Sequence, residues 1–150
     1  SATLDNLLAG RCATVNHVDD VRIFAGCLTG RRDWPTLPAE RIAGARLAAA
    51  VAHLELALAG VEEDGQRPRL FLRIVHQVSH APFAGFNRAK AAVLEAAILV
   101  SRLHLLPAEK VDSELDYLRI AIDKTAGDEE REAWDWLLAA VAARRRQEAA

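Results

Sequence analysis

The longest apolar block in the chain follows a short polar cluster and predicts a core helix. Residues 86–106, FNRAKAAVLEAAILVSRLHLL, are apolar on nearly every side after Lys90, with Glu95 as the interruption. A helix without a polar face is typical of a buried element. Asn87 suits the N-cap position, because its side chain can accept a hydrogen bond from an amide of the first turn. Pro107 is expected to end the helix.

Two alternating runs predict a β-hairpin earlier in the chain. The first half of residues 45–62 is rich in alanine and suits a helix by propensity. Its second half, and the whole of residues 69–79, alternate between two faces with the period of a strand. The turn-forming residues 63–68 lie between these runs, so the second half is interpreted as strand. A cross-strand pair of Glu55 with Arg73 is expected if the register permits it.

The last third of the chain predicts two amphipathic helices. The first has an apolar stripe at helical spacing, formed by Val111, Leu115, Leu118 and Ile122. Gly127 is expected to be the C′ residue of this helix, and Asp128 the cap of the next. The second helix has an apolar face formed by Trp134, Leu137, Ala140 and Val141.

The opening residues 1–8, SATLDNLL, predict a short loop that leads into a helical turn. Ser1 or Thr3 can cap this turn, and Gly10 is expected to end it. Hydroxyl groups and free amides at a helix start also suit a phosphate group. Plain capping is the simpler interpretation of these residues taken alone.

Composition and charge exclude several classes of protein. A chain of 150 residues is expected to form one domain with a substantial core. Its 19 basic and 21 acidic residues give a net charge of -2, so no nucleic-acid partner is expected. No apolar run has the length of a membrane span and no signal peptide is visible, which predicts a cytoplasmic protein without a membrane partner. Cys12 and Cys27 form neither a metal motif nor a disulfide framework.

Side chains that carry catalytic chemistry form no recognisable motif. Five histidines occur, without an HExxH or paired Cys/His spacing. His76 and His80 can share one strand face, and a cross-strand metal site with His53 is conceivable. Histidines on strands are more often hydrogen-bonded or solvated, so no metal site is expected. No nucleophile elbow, Walker loop or GxGxxG is present.

Arg88 and Lys90 break a local rule at the start of the core helix. The helix macrodipole disfavours cations in the first turn. An exception of this kind marks a site for an anion or an acidic partner. The residues alone therefore indicate a mixed α/β domain with a candidate anion site, and they leave its function open.

Three blocks resemble a family known only as a domain of unknown function, which occurs in methanogens and in methylotrophs that use tetrahydromethanopterin. The blocks are FNRAKAAVLEAAILVSRLHLL, LDYLRIAIDKTAG and EREAWDWL. The opening, SATLDNLLAGRCATVNHVDDVRIF, is similar to the same family and to the wider flavin reductase-like class of FMN-binding split barrels.

This resemblance implies an α+β fold in a single domain. Residues 1–85 are expected to form part of a split β-barrel, and residues 86–150 a bundle of three helices packed on it. Relatives normally carry further strands before the opening block, so the N-terminal strands of the barrel are expected to be missing here. The resemblance also implies a homodimer with FMN at the subunit interface.

The resemblance further implies candidate cofactor-binding residues. In flavin reductase-like barrels a loop bearing Ser or Thr before a short helix holds the flavin phosphate. The positions that match the family's three polar blocks are Ser1, Thr3 and Asn6; Asn87, Arg88 and Lys90; and Lys124 and Thr125. We expect Arg88 and Lys90 to face the flavin pocket or a carboxylated substrate. The alternative is that both cations pair with carboxylates of the partner subunit.

Two classes of function follow. In the first, the protein is an FMN-binding flavoprotein with a redox role linked to tetrahydromethanopterin-dependent one-carbon metabolism. The flavin then supplies the redox chemistry, which agrees with the lack of a catalytic motif. In the second, it is a non-catalytic dimeric module that binds a phosphorylated or acidic small molecule.

Overall fold

The first half of the chain mixes short helices with antiparallel strands, and the second half is helical. A computed structural model describes residues 2–65 and 67–148. Its elements are α1 (Ala2–Gly10), β1 (Cys12–Val18), α2 (Arg22–Leu28), β2 (Thr36–Pro38), β3 (Ala45–Leu47), β4 (Ala50–Glu62), β5 (Arg69–Ser79), α3 (Arg88–Ser101), α4 (Ala108–Thr125) and α5 (Asp128–Glu148). The predicted α+β class is therefore confirmed.

The chain divides into two compact units. The first contains Ser1–Asp19 and Trp34–Phe83, and the second contains Asp20–Asp33 and Ala84–Ala150. All the strands belong to the first unit, whereas α2 joins α3, α4 and α5 in the second. The helical unit thus contains one helix more than the predicted three-helix bundle, because the apolar segment after Asp20 is helical.

The sheet of the first unit has the strand order β1–β4–β5, and both pairings are antiparallel. The predicted hairpin is confirmed as β4 and β5, and Gly65 in its turn adopts a positive φ of 50°. The short strands β2 and β3 form a second antiparallel sheet, which the sequence patterns did not predict. Within the described residues these strands form no closed barrel.

The register of the hairpin differs from the expected pairing of Glu55 with Arg73. Glu55 lies opposite His76, and Arg73 lies opposite Ala57. The register shifts between Glu55 and Leu56, which moves the rest of β4 relative to β5. The expected ion pair is therefore wrong, and Glu55 is available for another partner.

The N-terminal helix is longer than the single turn predicted. It begins at Ala2, so Thr3 lies within the helix, and Ser1 lies outside the described residues. Arg11 follows the last residue of the helix and adopts a left-handed conformation with a φ of 53°. Its N–H donates to the carbonyl oxygen of Leu7 at 2.8 Å. The helix thus ends at Gly10, as predicted, and the left-handed position after it is occupied by Arg11.

The core of the second unit forms between four helices. Alanines of α3 allow close approach by its neighbours, and larger side chains come from α4 and α5. The buried residues include Ala25, Ala89, Val93, Ala96, Leu115, Ile122, Trp134, Leu137 and Val141. The predicted apolar faces of the last two helices are confirmed by Leu115, Ile122, Trp134 and Leu137. No helix in the described part of the chain is long and apolar enough to cross a membrane.

The core helix is shorter and less buried than its sequence predicts. It ends at Ser101 and not at 106, and Pro107 occupies the N-cap position of the next helix. Leu94 and Ile98 remain 37% and 45% exposed. The expectation of burial on all sides is therefore wrong, because the neighbouring helices cover one face of α3.

The junction of α4 and α5 is closed by a buried carboxylate. The Glu130 side chain accepts a hydrogen bond from the N–H of Gly127 at 2.8 Å. A Cβ atom at Gly127 would lie 3.1 Å from that carboxylate, so the position favours glycine for its small size. Gly127 follows the C-cap residue Ala126 and is therefore the C′ residue, as predicted, although its φ is not positive.

Candidate functional site

A cavity of about 450 Å³ lies in the first unit beside the N-terminal helix. Thr3 and Asn6 of α1 contribute its polar side, and residues 12–14 of β1 and 42–45 form the remaining walls. Its volume lies within the usual range for small-molecule sites. Two of the residues matched to the phosphate-binding loop therefore line one cavity.

Polar side chains of β1 hold the segment that forms the opposite wall. The Thr14 hydroxyl donates to the carbonyl oxygen of Ala45 at 2.8 Å. The Asn16 side-chain oxygen accepts from the N–H of Leu47 at 2.9 Å. Since both contacts are made to backbone atoms of β3, the strand is attached to β1 by side chains and not by apolar packing alone.

The fully buried carboxylate of Glu55 fixes the segment that leads into this wall. It accepts hydrogen bonds from the N–H groups of Glu40 at 2.6 Å, Arg41 at 2.7 Å and Ile42 at 3.1 Å. Burial alone raises the pKa of this carboxyl group. The hydrogen bonds from Glu40, His53 and Arg41 outweigh that effect and lower its pKa to about 2. Glu55 is therefore ionised at neutral pH.

Two histidines extend from Glu55 towards solvent. His53 is fully buried, and its Nε2 lies 3.1 Å from Oε1 of Glu55. Its Nδ1 lies 2.9 Å from Nε2 of His80, which is exposed. A third histidine, His76, bonds Glu40 at 3.1 Å. Within the part of the chain that the structure describes, no group of three or more His, Cys, Asp or Glu side chains is arranged to hold a metal ion.

The second polar block caps a helix, as the sequence predicts for Asn87. The side-chain oxygen of Asn87 accepts from the N–H of Ala89 at 2.7 Å. The Thr125 hydroxyl accepts from the same N–H at 3.1 Å, and the Asn87 amide donates to the Thr125 carbonyl oxygen at 3.3 Å. Two blocks matched by family resemblance therefore meet, and they join the start of α3 to the end of α4.

The cations of these blocks lie in different surroundings. Arg88 is exposed and lines a shallow cavity of about 200 Å³ with Glu95. Lys90 is half-buried. The charge of Lys90 affects Asp20. Burial raises the pKa of Asp20, but the hydrogen bonds from Arg22 and the charges of Arg22 and Lys90 together lower this pKa below its usual value. Lys124 lies in the last turn of α4, where the helix dipole favours a cation.

The candidate residues therefore divide between the two units. Thr3 and Asn6 share the cavity of the first unit, whereas Asn87, Arg88 and Lys90 belong to the second. The role of Glu55 as a buried acceptor was not predicted from the sequence. Its sequence clue is the pair His53 and Glu55, two polar residues that alternate with leucines on a strand.

The chain belongs to a family described as protein of unknown function (DUF447). The model of the family's N-terminal domain matches residues 1–81, and a second model of the family matches residues 87–139. The resemblance of the sequence blocks to a family of unknown function is thus confirmed. No protein among those with curated descriptions matches the chain.

Six solved chains match this one. One is the crystal structure of an FMN-bound protein of the same family from Methanosarcina mazei, with a TM-score of 0.76. The two sequences are 21% identical, and the match covers 93% of this chain and 76% of the other. At this level of identity the likeness establishes a shared fold.

We expect Glu55→Gln to destabilise the first unit. The glutamine side chain would place an N–H donor opposite backbone N–H groups that now donate to the carboxylate. Each buried donor left without a partner costs about 1–3 kcal/mol of unfolding free energy. The pKa of Glu55 falls from 4.5 to about 2 on folding. Its ionised form therefore contributes stability above pH 4.5 that is lost as the pH falls towards 2. Urea unfolding between pH 7 and pH 2.5 measures both effects.

The matched control is Glu62→Gln, which changes an exposed carboxyl group on the same strand. The control should keep the acid-dependent loss of stability, whereas Glu55→Gln should show a smaller loss. Equal pH dependence in the two variants would contradict the role given to the buried carboxylate.

We expect Asn87→Ala to lower the unfolding free energy by about 1 kcal/mol, since it removes the cap of α3. Asn87→Asp should restore most of this loss, because aspartate also caps and suits the positive end of the helix. Asn6→Ala, at an exposed position of α1, is the control and should change stability little. Urea unfolding decides the point, and an Asn87→Ala variant as stable as the parent protein would refute the capping role.

Proposed function

We propose that this protein binds FMN through Thr3 and Asn6 and has a redox role. One observation carries the proposal: the two residues matched to a flavin phosphate loop line the same cavity of the first unit. The shared fold with an FMN-bound member of the family supports it. Ser1, matched to the same loop, lies outside the described residues and completes the proposed set.

The residues around this cavity fit a phosphorylated small molecule. The Thr3 hydroxyl and the Asn6 amide are hydrogen-bond donors, and alanine and isoleucine side chains form the wall at residues 42–45. A few polar groups on a largely apolar lining is the usual character of a cofactor site. FMN, when bound, supplies hydride or electron transfer, and the chain's own residues bind and orient it.

Asn87, Arg88 and Lys90 of the second unit are a further set of proposed ligand-binding residues. Arg88 is exposed and carries a charge that suits the flavin phosphate or a carboxylated substrate. The alternative assigns Arg88 and Lys90 to carboxylates of a partner subunit. We also propose that the protein is a cytoplasmic homodimer. Phe71 and Ile74 on the edge strand β5 are exposed, which is consistent with a dimer interface at this strand.

A second candidate function is a non-catalytic dimeric module for a phosphorylated or acidic small molecule. Its non-catalytic character is favoured by the cavity lining, which in the described residues contains no histidine or carboxylate that could act as an acid or a base. A role in tetrahydromethanopterin-dependent one-carbon metabolism belongs to the first function and rests on the family resemblance alone.

The test of the first function compares FMN with riboflavin, which lacks the phosphate. We expect the protein to retain FMN after unbound flavin is removed, and to bind riboflavin more weakly. Thr3→Val combined with Asn6→Ala should weaken FMN binding by roughly 1.5–3 kcal/mol for each lost charge-assisted hydrogen bond, with a smaller effect on riboflavin. The measurement is flavin absorbance and fluorescence titration.

Thr36→Val is the matched control, because Thr36 is exposed and does not line the cavity. It should leave both affinities unchanged. A parent protein that retains no FMN but is stabilised by inorganic phosphate would favour the second function. Equal affinities for FMN and riboflavin would overturn the assignment of Thr3 and Asn6 to the phosphate.

Replacing Arg88 and Lys90 together by alanine separates the two roles proposed for these cations. If they bind the anionic ligand, FMN affinity should fall by roughly 1.5–3 kcal/mol per lost charge-assisted bond while the protein stays dimeric. Sedimentation velocity and the flavin titration measure these properties on one sample. An intact fold with unchanged affinity would remove both residues from the site, and loss of a dimer would assign them to the interface.

A further inference from the structure

The hydrogen bonds of Glu55, His53 and His80 form a continuous chain from the interior of the first unit to its surface. Glu55 is ionised and already accepts three backbone N–H groups. Nε2 of His53 must therefore carry the hydrogen that faces Glu55, since a lone pair there would face a negative charge. This assignment leaves Nδ1 of His53 to share one hydrogen with Nε2 of His80.

The two imidazole rings are oriented for transfer of that shared hydrogen. Their planes differ by 10° and their centroids are 5.0 Å apart, while the nearest nitrogens are 2.9 Å apart. Rings in this arrangement meet nearly edge to edge, so an N–H of one points at the lone pair of the other. A proton taken up at Nδ1 of His80 can therefore leave a positive charge on His53, beside the carboxylate of Glu55.

Charged groups on each neighbouring element bias this exchange. Arg46 of β3 and Glu40, in the segment before it, act on His80 with opposite signs, and His76 of β5 lies with its ring 6.2 Å from that of His53. Partial desolvation, and then the charges of Arg46 and His53, lower the pKa of His80. The outer histidine therefore returns readily to its neutral form.

We propose that Glu55, His53 and His80 form a proton relay, in which His80 exchanges protons with a redox ligand bound by the first unit. The ligand class rests on the proposed function, because redox reactions of flavins and their substrates take up or release protons along with electrons. Within the described residues the lining of the cavity beside α1 contains no imidazole or carboxyl group and does not include His80, so the proposed transfer takes place at a part of the ligand outside the cavity.

The step assigned to the relay is a proton transfer alone. The proton on Nδ1 of His80 moves to a nitrogen or oxygen of the ligand, whose lone pair forms the new bond. The electron pair of the broken N–H bond stays on Nδ1 of His80, while the proton on Nδ1 of His53 moves to Nε2 of His80. Both imidazoles are then neutral, the charge that Glu55 stabilised on His53 is gone, and water supplies the next proton to Nδ1 of His80. His53 and Glu55 are positioning residues in this scheme.

The relay itself is tested on the protein without flavin. Long-range ¹H–¹⁵N spectra of labelled protein give the tautomer and the titration of each histidine. We expect the Nδ1 signal of His53 and the Nε2 signal of His80 to change together with pH, and His80→Gln to alter the response of His53. His17→Gln, at an exposed position of β1, should shift neither. Independent titration of the two histidines in the parent protein would overturn the relay.

A second measurement tests the assignment to a redox ligand. The midpoint potential of bound FMN is measured as a function of pH. The slope of this plot should change at the pH where the two histidines exchange their protons, and His80→Gln should abolish the change. Identical pH dependence in both proteins would overturn the role of His80 in the reaction. Failure to bind FMN would instead refute the proposed function, and the spectra without flavin would still decide whether the relay exists.

Discussion

The carboxylate of Glu55 is the contact on which the first unit depends. It accepts three consecutive backbone N–H groups of residues 40–42 and one hydrogen bond from a buried imidazole. A buried charge of this kind is tolerated only when its lone pairs are satisfied, and here they are. The segment that leads into the cavity wall thus takes its conformation from an interior ion rather than from its own side chains.

The same arrangement explains how the cavity forms beside a small sheet. Thr14 and Asn16 on β1 contact backbone atoms of β3, and Glu55 on β4 contacts the segment before it. Polar side chains of β1 and β4 therefore hold this segment through hydrogen bonds to its backbone. The cavity opens between this attached segment and α1, where Thr3 and Asn6 lie.

Periodic features of the sequence predicted a large part of the fold. The hairpin, the cap at Asn87 and the apolar faces of α4 and α5 depend on local spacing, and the structure contains them. The burial of α3 and the end of that helix depend on which neighbours cover it, which spacing alone does not encode. Gly10 and Gly127 lie at the predicted helix ends, but the left-handed residue is Arg11 and the N–H of Gly127 is bound by the Glu130 side chain.

The candidate site was only partly accessible to sequence reasoning. Thr3 and Asn6 were named by resemblance, and their shared cavity follows from the helix that carries both. Glu55 was paired with Arg73 instead of His76, because the register of a hairpin cannot be read from an alternating pattern. His53 and Glu55 are two positions apart, but His53 and His80 are 27 positions apart. No local sequence motif therefore marks the link from Glu55 to His80.

The attachment of residues 40–47 through backbone atoms also bears on how this protein can diverge. Backbone N–H and carbonyl groups are common to nearly all amino acids, so the side chains of this segment can change without loss of the contacts that hold it. The contacts depend instead on the side chains of Thr14, Asn16 and Glu55, so these three residues cannot change without losing them. The side chains of this cavity wall can therefore change while the frame that holds the wall is kept.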